Sequence, residues 1–307
     1  MAQTVLVTGA STGLGLAIAR ALMARNYRVV LTARPASMHR FADLGIVEGP
    51  RVWLRPLDVT VAEQRVAVID EIERSLGGLD VLVNNAGVSV RSVVEHVTED
   101  IRKRQIDINF RSPMELTRLA LPGMRARRRG RIVNISSVGG MMAMPTMAVY
   151  SASKFALEGA CEALWYEVRP WNIHVSLVAP GFINSDGFEK VWLTPMGEAA
   201  IDTPSSPYHR HYIHMRGFIG QIMKRVPSTP ERVARTVVRV IERRRPPLRV
   251  PATFDAWLFA WIRRLLPRRI YHAALYWSLP GVRSWGPRPG MVEGRRGVVR
   301  AEEPEVR

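Results

Sequence analysis

Thr8-Gly9-Ala10-Ser11-Thr12-Gly13-Leu14-Gly15 is the stretch of the sequence that decides the fold. It follows a short apolar run at residues 5–7 and opens a helical pattern over residues 14–26. Glycines let the backbone turn tightly and approach a pyrophosphate, whose charge is held by amide groups at the helix N-terminus. The spacing is Gly-x-x-x-Gly-x-Gly, and in this strand–loop–helix context it predicts a dinucleotide-binding loop.

Beyond this loop, short β-branched runs alternate with helical patterns. The runs that predict buried parallel strands are residues 5–7, 28–32, 52–54, 81–83, 131–135 and 174–178. The helical patterns between them are residues 14–26, 61–76, 99–127 and 150–169. This alternation predicts an α/β fold with a Rossmann-like, doubly wound parallel sheet, in which ligands bind at the carboxyl ends of the strands.

We predict a single catalytic domain over residues 1–250. Within it, residues 184–225 break the strand–helix rhythm with several glycines and prolines, which predicts an irregular substrate lid. Helical spacing returns over residues 230–245. A basic amphipathic helical extension is predicted over residues 251–280. Residues 281–307 are rich in Gly, Pro, Arg and Glu, and we expect them to be disordered.

Composition narrows the class of protein. The chain has 307 residues, of which 47% are apolar and 23% charged, as in folded globular proteins. Its one cysteine, Cys161, excludes an intramolecular disulfide and a zinc site built from several cysteines. The N-terminus has neither the basic nor the apolar region of a secretory signal. We therefore expect a cytoplasmic protein.

The net charge of +17 is concentrated in the C-terminal third. From Arg216 onward there are 20 Lys or Arg against 7 Asp or Glu, which places +13 of the charge there. Such asymmetry points to an anionic surface, either a membrane or a nucleic acid. Peripheral association with a membrane is therefore compatible with the sequence.

The end of the second predicted strand selects between dinucleotides. An acidic residue there would hydrogen-bond the ribose 2′-hydroxyl and repel a 2′-phosphate. This chain has Ala33-Arg34 instead. Because an arginine can hold a phosphate through two hydrogen bonds, NADP(H) is favoured over NAD(H). The alternative is that Arg34 is simply a solvated surface residue.

Tyr150 and Lys154 form the candidate acid/base pair. Their four-residue spacing places both side chains on one face of the helix predicted over residues 150–169. A tyrosine has a reference pKa of about 10 and is a poor acid or base near neutrality. A fixed ammonium group nearby would favour the phenolate and lower that pKa. Tyr-x-x-x-Lys alone is a weak signal, so its neighbours decide its meaning.

The ordered set of motifs resembles the short-chain dehydrogenase/reductase family over residue 4 to about residue 185. The matching positions are Thr8–Gly15, Asp58 in a Leu-Asp-Val-Thr run, Asn84-Asn85-Ala86-Gly87, Asn109, Ser137, Tyr150-x-x-x-Lys154 and Pro180-Gly181. Each motif is unspecific alone, but their occurrence in this order is highly specific. The resemblance implies an NADP(H)-dependent oxidoreductase that moves a hydride between nicotinamide and an alcohol or carbonyl compound.

The resemblance also implies the role of each site residue. Tyr150 is the expected proton donor and acceptor at the substrate oxygen, and Lys154 is expected to lower the pKa of Tyr150 and to bind the nicotinamide ribose. Ser137, with Ser136 as its rival, is expected to donate to the developing alkoxide. Asn109 is expected to hold a water that connects Lys154 to solvent. The implied cofactor contacts are Gly9, Ser11, Thr12, Gly13, Leu14, Gly15, Arg34, Asp58, Val59, Asn85, Ala86, Gly87, Tyr150, Lys154, Pro180, Gly181 and Ile183. Ser185 stands where the family usually has threonine.

The predicted substrate pocket is apolar and rich in methionine, which adapts to irregular ligands. Its candidate residues are Gly139, Met141, Met142, Met144, Met147 and Phe182. They predict a hydrophobic alcohol or carbonyl substrate that is steroid-, retinoid- or acyl-like, although several of them are equally compatible with plain core packing. His209, His211 and His214 have a spacing compatible with a metal, but no carboxylate or cysteine is close in sequence, and we predict no metal site.

The segment from Phe254 to Trp277 mixes aromatic residues with the pairs Arg263-Arg264 and Arg268-Arg269, and Pro267 is a predicted break. This mixture suits helices lying in a membrane interface with the guanidinium groups near anionic headgroups. Helices that cover the substrate pocket or pack on a partner subunit fit the sequence nearly as well. The family resemblance implies a homodimer or homotetramer formed through the helices at residues 99–127 and 150–169.

The alternative function is that of a regulatory protein that binds the cofactor without efficient catalysis. The same fold serves catalytically weak NADP-binding regulators and redox sensors. The complete set of Asn109, Ser137, Tyr150 and Lys154 argues against that alternative, because degenerate members usually lose the tyrosine or the lysine. The arginine-rich runs at residues 125–131 and 243–245 lack any stacking platform or recognition helix, so we expect no nucleic-acid partner.

Overall fold

Seven parallel strands form one sheet in the computed structural model, which describes residues 2–184 and 192–286. The strands are β1 (Gln3–Val7), β2 (Tyr27–Ala33), β3 (Val52–Pro56), β4 (Val81–Asn84), β5 (Gly130–Ile135), β6 (Ile173–Ala179) and β7 (Arg249–Pro251). Their order is β3-β2-β1-β4-β5-β6-β7, so the chain reverses direction across the sheet between β1 and β4. The predicted doubly wound α/β fold is confirmed, and ligands of such sheets bind at this reversal.

Helices cover both faces of the sheet. They are α1 (Gly13–Met23), α2 (His39–Asp43), α3 (Ala62–Ser75), α4 (Glu99–Ile106), α5 (Ser112–Ala126), α6 (Ala148–Val168), α7 (Pro195–Asp202), α8 (His209–Arg225), α9 (Pro230–Glu242), α10 (Phe254–Leu265) and α11 (Arg268–Ser278). Successive strand residues alternate between faces. Val5 and Val7 therefore share a core with α1 and α9, whereas Leu6 shares one with α3, α5 and α6.

All six predicted strands are present, and β7 is an addition. It comprises only Arg249–Pro251, pairs with β6, and is too short and proline-containing to show a strand pattern in the sequence. The pattern predicted as one helix over residues 99–127 is α4 and α5 joined by a π-helical turn, Asp107–Arg111. Such turns insert an extra residue into a helix and are frequent at functional sites.

The prediction of an irregular segment at residues 184–225 was wrong for most of its length. Residues 195–202 and 209–225 are the helices α7 and α8, while residues 185–191 lie outside the described residues. Pro195 occupies the first turn of α7, where the backbone amide has no partner within the helix and a proline is therefore tolerated. Thr194 caps the same helix, because its side chain accepts from the Gly197 amide at 3.1 Å. The prolines there mark helix starts and connections rather than a loop.

The C-terminal extension is helical, and Pro267 separates α10 from α11 as predicted. Residues 281–286 are ordered against α8, since the Trp285 indole donates to His214 Nδ1 at 3.0 Å. The prediction of disorder from residue 281 is therefore wrong for these six residues, and residues 287–307 lie outside the described part. None of the helices within residues 2–184 and 192–286 is long and apolar enough to cross a membrane.

Candidate active site

The loop between β1 and α1 has a backbone that needs glycine at three positions. Gly9 and Gly13 have φ angles of 65° and 53°, in the left-handed region that other residues seldom adopt. A side chain at Gly15 would place its Cβ 2.1 Å from the Gly9 carbonyl oxygen and 2.5 Å from the Asn85 amide nitrogen. The loop is therefore packed tightly against itself and against the end of β4.

Thr8 and Asn85 hold this loop to the neighbouring strand. The Thr8 hydroxyl oxygen accepts from the main-chain amides of Asn85 and Ala86, each at 3.0 Å. In return, Asn85 Nδ2 donates to the carbonyls of Thr8 at 3.0 Å and Gly9 at 3.1 Å. The sequence marked Thr8 and Asn85 as parts of separate motifs, and the structure joins them into one hydrogen-bonded unit.

A cavity of about 740 Å³ lies beside this loop, and we name it the glycine-loop cavity. It brings together the first twelve predicted cofactor contacts, which are Gly9, Ser11, Thr12, Gly13, Leu14, Gly15, Arg34, Asp58, Val59, Asn85, Ala86 and Gly87. Burial opposes ionisation of Asp58, but hydrogen bonds from Thr60 and the charges of Arg34 and Arg104 lower its pKa on balance. The carboxylate is therefore ionised, held by Thr60 and stabilised by the positive charges of Arg34 and Arg104.

Several residues that the sequence did not single out also line the glycine-loop cavity. Among them are Ser37 and Arg40, which follow β2 closely, and Asp100, Lys103 and Arg104 on α4. Arg40 lies six positions after Arg34, so a second basic residue soon after the strand end was the available signal. The sequence did not indicate that the basic residues of α4 line this cavity, because α4 lies far from β2 in the chain and only the fold brings the two together.

A second cavity, of about 360 Å³, contains Ser137, Tyr150 and Lys154, and we name it the tyrosine cavity. It shares Leu14, Asn85, Gly87 and Val88 with the glycine-loop cavity, so the two adjoin. Pro180, Gly181 and Ile183, which are predicted cofactor contacts, also line it. Five of the six predicted pocket residues also line it, namely Gly139, Met142, Met144, Met147 and Phe182. Met141 does not and instead packs toward α10 and α11.

Tyr150 stands in the first turn of α6 and faces Ser137. The Ser137 hydroxyl favours the ionised form of Tyr150 and so opposes the rise of its pKa, and Ser137 Oγ accepts from the Gly139 amide at 3.0 Å. A side chain at Gly139 would meet the Tyr150 ring at 2.8 Å, so this glycine makes room for the ring. Ser136 Oγ is buried and has no hydrogen-bond partner among the described residues. The geometry thus pairs Ser137, rather than Ser136, with Tyr150.

Lys154 is buried in α6, one turn after Tyr150. Its ammonium group donates to the Ile135 carbonyl at 2.8 Å. Burial raises the pKa of Tyr150, and the groups that oppose this rise are Ser137 and Arg91. Burial also lowers the pKa of Lys154 to about 8, against the opposing charge of Glu158. The contact that the structure shows for the ammonium group is thus the carbonyl at the end of β5, and the lowering of the Tyr150 pKa by Lys154 stays a prediction.

Asn109 is buried in the π-helical turn and fixes the strand end beside Lys154. Its Nδ2 donates to the Val88 carbonyl at 2.8 Å and to Ser153 Oγ at 3.0 Å, and its Oδ1 accepts from the Val88 amide at 2.9 Å. A Cβ on Gly87 would lie 3.3 Å from Asn109 Oδ1 and 3.9 Å from Lys154 Nζ. The four predicted catalytic residues therefore gather around one point, with Asn109 behind Gly87.

The first turn of α10 holds the loop that follows β6. The Gly181 amide donates to Thr253 Oγ1, and the Phe182 amide donates to Asp255 Oδ2, each at 2.8 Å. Nothing in the sequence linked these distant segments. The C-terminal extension is thereby attached to the wall of the tyrosine cavity, while Ser185 lies outside the described residues.

The three histidines of α8 take part in packing contacts. His209 Nδ1 is 3.2 Å from the Ala200 carbonyl, and the His211 ring lies 4.5 Å from the Trp285 ring. Within residues 2–184 and 192–286 no three His, Cys, Asp or Glu side chains gather as metal ligands would.

A sequence model of the family described as short chain dehydrogenase matches residues 3–195. The chain belongs to the short-chain dehydrogenase family. The family that the motifs indicated is thus confirmed, and the glycine loop, Asn84–Gly87 and Tyr150 all fall within the matched residues.

Relatives of this short-chain dehydrogenase extend beyond the matched segment. A 3-ketodihydrosphingosine reductase of Bacteroides thetaiotaomicron is 32% identical over 274 residues, covering 89% of this chain and 96% of that protein. Human retinol dehydrogenase 8 is 34% identical, and 80% of each chain is covered. A metagenomic short-chain oxidoreductase solved in complex with NADP is 28% identical, with a TM-score of 0.62 over 81% of this chain and 96% of that one. These similarities support an oxidoreductase that uses a nicotinamide cofactor.

Proposed function

We propose that this short-chain dehydrogenase is an NADP(H)-dependent oxidoreductase acting on a hydrophobic alcohol or carbonyl compound, with Tyr150 as its acid/base. One observation carries the proposal. Tyr150 and Ser137 line one methionine-containing cavity, and that cavity adjoins the glycine-loop cavity. A substrate oxygen at these hydroxyls is thereby next to the place where a nicotinamide would lie.

The glycine-loop cavity fits a dinucleotide with a 2′-phosphate. Because Gly15 has no side chain, the loop packs closely on the Gly9 carbonyl. The main-chain amides at the start of α1 are suited to bind a pyrophosphate. Arg34 and Arg40 line the cavity after β2, where guanidinium groups can bind a phosphate through two hydrogen bonds. The related oxidoreductase bound to NADP supports the same cofactor class. When bound, NADP(H) donates or accepts a hydride.

Tyr150 is suited to donate a proton to a carbonyl oxygen. Because burial raises its pKa, the phenol stays protonated at neutral pH. Ser137 donates to the same oxygen and stabilises the negative charge that develops on it. Lys154 has a pKa of about 8, so it exchanges protons near neutrality and can return one toward Tyr150. Since the Asn109 side chain is engaged with Val88 and Ser153, we assign any water relay at this residue to its main-chain carbonyl.

The substrate that fits this cavity has a long or bulky apolar part. Met142, Met144 and Met147 line it together with Phe182, and methionine adapts its shape to flexible chains. Relatives named for 3-ketodihydrosphingosine and for retinol act on lipids. We therefore infer a steroid-, retinoid- or acyl-like alcohol or carbonyl compound.

The helices α10 and α11 are the proposed contact with an anionic membrane. Their inner face, which includes Ala256 and Tyr271, packs on Val138 and Met142 at the tyrosine cavity. Their outer face exposes the apolar residues Phe254, Trp257, Leu258, Trp261, Leu265, Leu266, Ile270, Tyr276 and Trp277. The arginines at positions 263, 264, 268 and 269 are exposed beside them. Exposed aromatic and basic side chains together suit a lipid headgroup region.

Vesicle co-sedimentation tests the membrane contact. At low salt the protein is expected to sediment with vesicles of phosphatidylserine and phosphatidylcholine, and the combination of Leu265→Asp with Trp277→Ser should remove most of the bound fraction. Val47→Asp is the matched control, since Val47 is 70% exposed far from these helices and Leu265 is 71% exposed. Absence of wild-type binding to these vesicles would end the membrane proposal without touching the proposed chemistry.

The enzymatic proposal is tested with a panel of aliphatic, aromatic, steroidal and long-chain carbonyl compounds. Oxidation of NADPH is followed by its absorbance, with NADH as the comparison. We expect turnover with NADPH and the long-chain or polycyclic members. Turnover with NADH alone would overturn the assignment of Arg34, and no turnover of any member in either direction would favour a regulatory protein that only binds the cofactor.

A further inference from the structure

The segment that follows β6 forms one wall of the tyrosine cavity. Its residues Pro180, Gly181, Phe182 and Ile183 all line this cavity. Because β6 ends at Ala179, the main-chain amides that follow are no longer paired within the sheet, and each needs another acceptor where it is buried. The position of this wall therefore depends on contacts from outside the sheet.

Two side chains in the first turn of α10 supply those acceptors. Thr253 Oγ1 accepts from the Gly181 amide and Asp255 Oδ2 accepts from the Phe182 amide, each at 2.8 Å. The buried Thr253 hydroxyl also accepts from the Ala256 amide at 3.4 Å and so caps α10. The same hydroxyl thus ends the helix and holds the wall of the cavity.

The carboxyl group of Asp255 packs directly on Gly181. A Cβ on Gly181 would overlap that carboxyl group, so the wall and the first turn of α10 fit together only because this residue has no side chain. Among the described residues that line the two cavities, neither Thr253 nor Asp255 is found. Any effect of these two residues on a bound ligand therefore passes through Gly181 and Phe182.

The first turn of α10 is itself held in place by β6 and by α6. The Ala252 amide donates to the Ala179 carbonyl at 2.9 Å, which continues the pairing of β6 with β7. In β7, Arg249 forms ion pairs with Glu158 at 2.8 Å and with Glu162 at 2.6 Å, both on α6. Residues 249–255 therefore connect the helix of the acid/base pair to the wall that follows β6.

We propose that Asp255 and Thr253 are positioning residues for the nicotinamide end of the dinucleotide. They hold Gly181 and Phe182 so that the nicotinamide and the substrate carbonyl meet in a reactive geometry. The proposal rests on the proposed function, because it takes NADP(H) as the bound dinucleotide. Placement of this kind has a large effect on rate, since a displacement of about 1 Å can cost on the order of 100-fold.

A purely structural role for Asp255 and Thr253 makes a different prediction. Acidic and hydroxyl side chains in a first helical turn stabilise the helix itself. If these residues only cap α10, their loss lowers the free energy of unfolding and leaves ligand binding by the folded protein unchanged. If they position the wall, their loss affects the nicotinamide end of NADP⁺ and spares its adenosine end.

Calorimetry with NADP⁺ and with adenosine 2′,5′-bisphosphate separates the two ends of the cofactor. In Asp255→Ala we expect the Kd for NADP⁺ to rise about 3- to 10-fold, while the Kd for adenosine 2′,5′-bisphosphate changes less than about 2-fold. Turnover of the best carbonyl compound in the panel should fall about 10-fold or more in kcat. Asp255→Asn keeps an oxygen acceptor and should restore most of both losses. Glu63→Ala, an exposed acidic residue in the first turn of α3, is the control.

Unchanged kcat and Kd for NADP⁺ in Asp255→Ala, or an equal loss of affinity for both ligands, overturns the positioning role and leaves the oxidoreductase function standing. If Asp255→Ala does not fold, Thr253→Val and Thr253→Ser make the same comparison, because serine keeps the hydroxyl. If the wild type turns over no carbonyl compound, the proposed function is what fails, and the two Kd values alone decide the positioning role. Wild-type protein that binds neither ligand would refute both proposals.

Discussion

The glycine-loop cavity and the tyrosine cavity adjoin, but they are built in opposite ways. The first is shaped by main chain and small residues, with Gly15 packed on Gly9 and with Thr8 and Asn85 hydrogen-bonded across the strands. The second is shaped by side chains from distant segments, among them Arg91, the methionines after β5 and the loop held by Asp255. A rigid main-chain cavity suits one invariant ligand, whereas a side-chain cavity can be adapted to a particular substrate.

Tyr150→Phe should separate the two cavities most strongly. It removes the hydroxyl at the substrate oxygen and leaves every residue of the glycine-loop cavity in place. We expect kcat to fall about 10²- to 10⁴-fold, the range that acid/base groups contribute, while the Kd for NADPH changes little. Steady-state turnover and the quenching of protein fluorescence by NADPH measure the two effects. Tyr166→Phe, an exposed residue of the same helix, is the control. Wild-type turnover in Tyr150→Phe would refute the assignment of the acid.

Gly15→Ala should produce the reverse result. The added Cβ would overlap the Gly9 carbonyl at 2.1 Å, so the loop must shift. We expect destabilisation of about 1–3 kcal/mol and binding of NADPH weakened by about 10-fold or more. Urea unfolding and fluorescence titration measure these changes. Gly159→Ala is the matched control, because a Cβ there meets nothing within 4 Å and alanine favours the helix. Normal NADPH binding by Gly15→Ala would show that the loop does not approach the cofactor.

Arg34→Met tests a finer feature of the glycine-loop cavity, its preference between dinucleotides. Loss of a charge-assisted contact to the 2′-phosphate should reduce the ratio of kcat/KM for NADPH over NADH about 10-fold. The value for NADH itself should hardly change. Arg74→Met, on the exposed side of α3, controls for loss of positive charge. If the ratio stays constant in Arg34→Met, we would assign the contact with the 2′-phosphate to Arg40 or to the basic residues of α4 instead.

Lys154, in the tyrosine cavity, should give the smallest effect, which is a dependence of the free energy of unfolding on pH. Its pKa is about 8 in the folded protein, below the unfolded value of about 10.4. At pH values between these two pKa values the unfolded state binds more protons than the folded state. The contribution of Lys154 to the free energy of unfolding therefore rises with pH. Relative to Lys154→Met, the wild type should gain on the order of 1–3 kcal/mol in the free energy of unfolding between pH 7 and pH 10. Urea unfolding at several pH values measures this, with Lys224→Met as the exposed control. Parallel curves for wild type and Lys154→Met would contradict the buried ammonium.

Much of the fold and the family could be predicted because their signals are local. The glycine loop, the six apolar strands and the break at Pro267 each depend on neighbouring residues in the chain. Predictions failed where a local signal had two meanings. Pro195 was assigned to an irregular lid. Proline is also frequent in the first turn of a helix, and α7 begins with Pro195.

The sequence by itself determined the parallel α/β sheet and the glycine loop, because each is a pattern of nearby residues with one main physical meaning. It also supplied the candidate set Asn109, Ser137, Tyr150 and Lys154, but only through the order of several motifs that are unspecific alone. Only the tertiary structure decided that Lys154 contacts the Ile135 carbonyl, that Arg91 shares the cavity with Tyr150, and that α10 holds the loop after β6. These contacts join segments tens of residues apart. Their geometry and the desolvation that shifts the pKa values exist only once the sheet has brought those segments together.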